Sequence, residues 1–556
     1  MFLEEKLTSV LASAIQKLGA SSTPAIQFST PKQTDHGDVA TNVAFMLAKP
    51  LKNAPRKIAE NLVQSLHPLP DWIVKVEVAG SGFINFFVKP SIYFKGLGEI
   101  LKRGKKFGTS DFGHGKKIIL EFVSANPTGP LNVVSARAAA VGDTLANLFN
   151  CVGYKAHKEY YINDVGNQIE LFAQSLQARC RQALGEEASI PEEGYQGEYL
   201  KDLAKKLFKK KKKYSLEDLK KLGLKEMIQS QKKSLKDFGV EFDRWFSQSE
   251  LFEKNEIENS LKRLKKTNHL YEKEGALFFK STDFGDDKDR VVKKQDGEYS
   301  YFASDIAYHA DKLERKFDIM IDIFGPDHHG YLARTKAAVQ ALGFDPEALT
   351  ILIVQQVNLM EGEVLVKMSK RAGKIITMDL LLEEVGKDVA RYFFLQRSAS
   401  TPLDFDLELA KKTTLENPVF YIQYAHARIS SIFRKSEELG IKPNLKKMNL
   451  TLLDLPEEKE LAKLLLEFPD ILIKAAEELA PHQIAFYALE LSKLFQTYYS
   501  AAKNDPRYKA VDPENKPKTE AKLYLLKNVQ IVLQNTLNIL GISAPDRMEK
   551  DASSAL

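Results

Sequence analysis

A chain of 556 residues, 44% of them apolar, is too long for one ordinary hydrophobic core and predicts three or four domains. It has no run of eighteen apolar residues without charge, its N-terminus reads as an amphipathic helix with acidic residues rather than a signal peptide, and its only cysteines are Cys151 and Cys180. These features exclude a disulfide framework, a cysteine-built zinc site and a helical membrane span, and predict a soluble cytoplasmic protein; 80 basic against 74 acidic residues, a net charge of +6, permit nucleic-acid binding without requiring it.

Residues 1 to about 110 mix a helical start with the alternating stretch Ile73 to Val78, which runs into Gly80-Ser81-Gly82, and predict a small α/β domain. A second unit opens with Ile118-Ile119-Leu120-Glu121-Phe122-Val123, a nearly continuous apolar run of buried-strand type. Asn126-Pro127-Thr128-Gly129-Pro130 stops the strand, and a helical pattern follows at Ala136-Arg137-Ala138. Strand, loop and helix N-terminus in that order begin a nucleotide-binding α/β unit. Residues from roughly 175 to 275 are charged and helical in pattern, with a lysine run from Lys209 to Lys213, and read as an insertion between two halves of a sheet. That run is more often a solvated face than a contact to an RNA backbone. Strand signals resume at Ile319 to Phe324 and at Thr350 to Val354. The last 150 or so residues are helical almost throughout: Ile484, Tyr487, Ala488, Leu491, Leu494, Phe495 and Tyr498 share a face behind Pro481, and Gly541 caps the helix from Leu523 to Leu540.

The sharpest short signal is Lys367-Met368-Ser369-Lys370-Arg371. Three cations and a hydroxyl on one loop can close over a triphosphate and neutralise charge that builds on departing pyrophosphate. Taken alone, such a cluster is more often a solvated basic loop. Here it resembles the second signature of the class I aminoacyl-tRNA synthetases, and other segments resemble the arginyl enzymes among them, over most of the chain and in the expected order. These are Glu121 to Leu131, Tyr160 to Gln168, Tyr301 to His309, Gly325 to Tyr331, His36 to Asn42 and Gly82 to Phe86 near the N-terminus, and Asp388 to Tyr392, Tyr421 to Arg428 and Ala544 to Met548 toward the C-terminus.

The resemblance implies a multidomain fold, α/β plus all-α. Residues 1–110 would form an additional N-terminal α/β domain contacting tRNA. Residues 111–405 would form a Rossmann-like parallel-sheet catalytic domain with the helical insertion, and 406–556 a helical anticodon-binding domain. It implies an arginine–tRNA ligase acting on tRNA(Arg), L-arginine and ATP with Mg2+, as a monomer, with no membrane association. Glu121, Tyr301 and Asp305 would grip the guanidinium, while Ser124 and Asn126 would hold the amino and carboxyl ends of arginine. A planar fork of donors asks for carboxylates and aligned acceptors, and Tyr301 and Asp305 share a face if their segment is helical. Lys367, Ser369 and Lys370 would act in catalysis, and Asp327, His328, Lys367, Met368 and Lys370 would border ATP. Asp327, His328 and His329 lack a third ligand at metal-like spacing, so no transition-metal site is expected. Tyr424, Arg428 and Met548 would meet the tRNA; Tyr424 reads equally as core. The family commonly needs tRNA even for the first step.

One tetrapeptide departs from the pattern. The first class I signature, His-x-Gly-His, is replaced by Asn132-Val133-Val134-Ser135. Asn132 and Ser135 still offer neutral donors to the α-phosphate, so both remain catalytic and ATP-binding candidates. Val134 stands where a glycine would let adenine lie close to the backbone. The alternatives are an active ligase with a variant ATP site, a non-catalytic tRNA-binding relative, and an adenylate-forming enzyme that modifies something other than tRNA.

Overall fold

The computed structural model describes residues 2–29, 31, 34–208, 214–326, 330–362, 364–366, 376–441 and 448–548. At the N-terminus, helices α1 (Phe2–Lys17), α2 (Val43–Leu51) and α3 (Pro55–Ser65) accompany an antiparallel sheet of strands β1 (Phe28–Ser29), β2 (Val39–Thr41), β3 (Ile73–Ala79) and β4 (Phe83–Val88), in the order β1-β2-β4-β3. Leu7, Leu11, Ala14 and Ile15 are buried along one stripe of α1. Such three- and four-residue spacing is what holds a helix against a core.

Helix α4 (Ser91–Arg103) leads to β5 (Lys117–Phe122), α5 (Val133–Cys151) and β6 (Lys155–Ile162). Helices α6 (Asn167–Ala183), α7 (Glu198–Phe208) and α8 (Leu216–Asp237) follow, and then β7 (Arg244–Ser247). Two short helices, α9 (Ser249–Glu253) and α10 (Glu256–Lys266), precede an antiparallel sheet of β8 (Leu270–Lys273), β9 (Ala276–Phe279) and β10 (Arg290–Lys293). The chain returns through α11 (Tyr301–Glu314) to β11 (Ile319–Phe324), α12 (Tyr331–Ala341) and β12 (Leu349–Ile353).

Strands β12-β11-β5-β6-β7 form one sheet in that order, parallel throughout. Chain order runs outward in both directions from β5, so the boundary between β5 and β11 is the switch point where open α/β sheets bind ligands. The region read as a helical insertion is not wholly helical, because it contains β7, the edge strand of this sheet. Arg244-Trp245-Phe246-Ser247 is too short to show alternation in sequence, and it becomes a strand by pairing with Glu159 to Ile162.

Beyond the sheet lie β13 (Val357–Glu361), β14 (Val364–Leu365) and, after α13 (Met378–Val385) and α14 (Lys387–Leu395), β15 (Leu403–Asp406), ordered β14-β13-β15. Helix α15 (Leu407–Lys411) leads to the long helices α16 (Pro418–Glu438), α17 (Pro456–Glu477), α18 (His482–Ala501) and α19 (Lys516–Leu540).

One hydrophobic core runs through the N-terminal unit, the inner face of the parallel sheet and these helices. Buried polar groups fasten the units together. Arg391 on α14 is fully buried; it pairs with Asp143 of α5 at 2.7 Å and donates to the Leu540 carbonyl at the end of α19 at 2.7 Å. Asp38 accepts from the Val88 backbone and is bridged at 2.7 Å by Lys459 of α17. Gly541 ends α19 with φ of +69°, and a β-carbon there would lie 2.5 Å from the Arg391 guanidinium carbon. Gly541→Ala is therefore expected to destabilise this junction by about 2 kcal/mol, from the left-handed backbone and the overlap together. Urea unfolding checks this, and an unchanged midpoint would show that the junction yields freely.

Candidate active site

At the end of β5 the chain turns sharply. The Ser124 N–H donates to the Phe122 carbonyl at 3.0 Å, closing a three-residue γ-turn around Val123. Val123 has φ of +70° and Ser124 +37°, in a region that a β-branched residue rarely enters. Such backbone costs on the order of 1–3 kcal/mol and persists where the surroundings over-determine it. The turn brings the Ser124 hydroxyl back to Glu121, to whose Oε1 it donates at 3.0 Å while accepting from the Tyr161 N–H at 3.1 Å.

Glu121 belongs to a row of acids. Asp322, Glu121 and Glu159 are register neighbours on β11, β5 and β6, and all three are buried, with Glu121 only 4% exposed and the other two not at all. Helix α11 covers the row. Fully buried Lys312 bridges Glu121 Oε2 at 2.6 Å and Asp322 Oδ1 at 2.7 Å. Arg315, just past the helix end, holds Glu159 with two bonds of 2.7 and 2.8 Å, and the Tyr308 hydroxyl donates to the same carboxylate at 2.7 Å. His309 places Nε2 2.8 Å from Asp322 and Nδ1 2.8 Å from the Asp305 carbonyl.

Burial opposes charge on all three acids. At Glu159 the hydrogen bonds from His157, Arg315 and Tyr308 overcome it and lower its pKa to about 2. At Asp322 the opposing burial yields to Lys312 and His309, and the pKa falls. At Glu121 burial wins over Lys312, and the pKa rises. Burial likewise disfavours the Lys312 ammonium, but Asp322 and Glu121 outweigh it and keep it charged.

Tyr301 and Asp305 stand on the first turns of α11, capped by Ser300, whose hydroxyl accepts from the Ala303 N–H. Tyr301 is 62% exposed and its hydroxyl lies beside Gly166, so it forms an open wall. Asp305 is half-buried, and its carboxyl makes no hydrogen bond or ion pair among the described residues. Burial raises its pKa to about 6, with Glu121 and Asp322 adding to the rise and His309 and Arg334 opposing it. Glu121, Ser124 and Asp305 are thus gathered at the carboxyl ends of β5 and β11. Asn126 is turned differently: its amide donates to Gln168 at the start of α6 at 2.5 Å.

The departing tetrapeptide caps α5. Asn132 is the N-cap, and its Oδ1 accepts from the Ser135 N–H at 2.9 Å and the Ser135 hydroxyl at 3.2 Å. Val133 is buried and Val134 half-buried. An isolated bridge between Asn132 and Thr377, with the Met378 N–H donating to the Leu131 carbonyl, brings the start of α13 to this helix end. Lys367, Met368, Ser369, Lys370, Asp327 and His328 lie outside the described residues, as does the lysine run 209–213. Arg428 on α16 is sandwiched at 4.5 Å and 4.6 Å between the rings of Tyr424 and Tyr499, donates to the Tyr424 hydroxyl at 3.0 Å and also bonds Gln496. Met548 is half-buried behind a segment that docks on α16 through Pro545 and Asp546.

Comparison with known proteins matches three segments of the chain. Residues 5–88 match the arginyl tRNA synthetase N-terminal domain, 96–397 the class I (R) tRNA synthetase catalytic domain, and 422–548 the DALR anticodon-binding domain. The arginine–tRNA ligase of Shouchella clausii is 46% identical over 95% of each chain, and that of Citrifermentans bemidjiense 44% identical over 98% of this chain and all of the other. The chain belongs to the arginyl-tRNA synthetases. Its architecture is also that of the Thermus thermophilus arginyl-tRNA synthetase structure, with a TM-score of 0.76 over 98% of this chain and 100% of that one at 21% identity.

Sequence reasoning about this synthetase missed Lys312, His309 and Asp322. All three leave a signal: Tyr301, Asp305, His309 and Lys312 recur at helical spacing, and Asp322 is a lone acid in an apolar strand.

The raised pKa of Asp305 has a consequence for stability. The folded value, about 6, exceeds the ordinary 3.8, so ionised Asp305 costs stability above pH 6, and the cost disappears as the pH falls toward 4. Asp305→Asn is expected to stabilise the fold by up to about 2 kcal/mol at pH 7.5 and by nothing near pH 4. Thermal melts at both pH values check it, and a lower melting point at pH 7.5 would contradict it.

Proposed function

We infer that the chain is an arginine–tRNA ligase, activating L-arginine with ATP and transferring it to the 3′-terminal adenosine of tRNA(Arg). The observation that carries this reading is the Asp305 carboxyl beside Glu121, without a hydrogen bond or ion pair among the described residues, at the switch point of a parallel sheet. A guanidinium placed there supplies the missing cation and a fork of donors.

Asp305, Glu121 and Tyr301 grip the guanidinium, and Ser124 and Asn126 hold the amino and carboxyl ends. The arginine carboxylate attacks the α-phosphate of ATP in line, pyrophosphate leaves, and the 2′-hydroxyl of the terminal adenosine then takes the arginyl group. No side chain acts as nucleophile, so rate comes from positioning and charge stabilisation. The N-terminus of α5, with Asn132 and Ser135, faces the phosphates, and Val134 borders adenine. Asp327, His328, Lys367, Met368, Ser369 and Lys370 complete the ATP site. Magnesium enters on the nucleotide, carried by its phosphates. Tyr424, Arg428 and Met548 face tRNA, the first two as a preorganised stack. We place the enzyme in the cytoplasm as a monomer.

Charging of total tRNA with ATP, magnesium and each of the twenty amino acids tests the assignment. Selective arginylation is expected; tRNA binding without any charging would make the chain a non-catalytic relative. Asp305→Ala should raise KM for arginine by the equivalent of about 2–5 kcal/mol, and a parental KM would remove it as a ligand. Lys370→Ala should lower kcat far more than it changes KM for arginine, because its charge matters most as pyrophosphate departs. An unchanged kcat would dismiss that role.

A further inference from the structure

The loop that carries Ser124 and Asn126 is held from outside the parallel sheet. Gln231, on α8 of the helical insertion, is buried; its amide donates to the Asn126 carbonyl at 3.1 Å and the Gly129 carbonyl at 2.9 Å, and its oxygen accepts from the Tyr160 hydroxyl at 2.9 Å. Tyr160 closes the arrangement: its single hydroxyl proton is shared between the Gln231 oxygen and the Ala125 carbonyl, 3.0 Å away, and its oxygen accepts from the Ala125 N–H at 3.1 Å. From α7, the Tyr199 hydroxyl donates to the Thr128 carbonyl at 2.6 Å.

The Tyr199 ring lies between two glycines. A β-carbon on Gly129 would stand 3.4 Å from it and one on Gly197 2.4 Å. It also packs against a separate core of Phe172, Leu176, Leu200, Leu203 and Leu219, shared by α6, α7 and α8. Four of the five residues after the strained turn at Val123 and Ser124, Ala125, Asn126, Thr128 and Gly129 but not Pro127, therefore have backbone groups held by side chains, three of their carbonyls by the insertion.

We propose that Gln231 and Tyr199 are positioning residues for arginine activation, through which the helical insertion sets the geometry of the substrate loop. The inference rests on reading Ser124 and Asn126 as arginine ligands. A loop held this way presents its ligands within tenths of an ångström, and a reacting carboxylate misplaced by one ångström loses much of the benefit of proximity. The insertion is thus part of the activating machinery, not a spacer between two halves of a sheet.

The test uses the full chain with tRNA present and measures arginine-dependent pyrophosphate exchange for three variants. Tyr199→Phe keeps the ring between its glycines and removes one hydrogen bond; kcat is expected to fall about tenfold or more, with the melting temperature and the Kd for tRNA at parental values. Gln231→Glu keeps the acceptor for Tyr160 but turns a carboxylate toward two carbonyl oxygens. Its activity relative to the parent is expected to be lowest at pH 8 and to recover as the pH falls and a protonated acid restores one donor, a profile that a purely structural role would not give. Asn126→Ala separates the two levels of the argument. If it leaves KM for arginine unchanged, the ligand reading fails. If it raises KM while Tyr199→Phe and Gln231→Glu keep parental kcat and a flat relative pH profile, the inference alone is overturned.

Discussion

Three carboxylates side by side on adjacent strands are the constraint on which the rest of this structure depends. Asp322, Glu121 and Glu159 occupy matching register positions on β11, β5 and β6, on the face that α11 covers. Strands lie about 5 Å apart, and like charges at that distance repel by roughly 3 kcal/mol per pair even at an effective dielectric of 20. Lys312, Arg315 and the Tyr308 hydroxyl must therefore sit where they do, and α11 is locked over the sheet. The helix end that carries Tyr301 and Asp305 is placed as a consequence. Asp305 adds a fourth acid to the neighbourhood, and among the described residues its carboxyl makes no hydrogen bond or ion pair.

A second level of organisation converts this charged floor into an oriented site. The strained turn at Val123 and Ser124 folds a hydroxyl back onto Glu121, so a single residue links the buried row of acids to the loop that follows. That loop then runs to Asn132, which caps α5, and α5 carries Asp143 to Arg391 at the junction with the helical domain. The same short stretch of chain is thus tied to the sheet, the insertion and, through α5, the C-terminal helices.

Much of this was legible in the sequence. The apolar runs at Ile118 and Ile319 gave two central strands because buried parallel strands need no alternation, and Gly541 marked the end of α19 because a left-handed cap suits it. Tyr301 and Asp305 were visible as a helical pair. Strand β7 was not, since four residues carry no period and its form comes from pairing with β6. Nor were Gln231 and Tyr199, because a glutamine or tyrosine in a charged helical region has no local signal, and its role exists only once distant carbonyls are brought to it. The departure at Asn132 is, in the sequence, a loss of two histidines and a glycine. In the fold it is also a gain, since asparagine and serine make a self-satisfied helix cap.

The central claim is that an unpartnered carboxylate, not shape alone, selects the substrate, and calorimetric titration of the protein with L-arginine and with L-citrulline from pH 5 to 8 tests it most directly. Citrulline keeps the outline of arginine but carries no charge. The account predicts that arginine binds above pH 6 and weakens as Asp305 is protonated below it, while citrulline binds far more weakly throughout and without that pH dependence. Comparable affinity for the two, or arginine binding that does not change across pH 6, would contradict it.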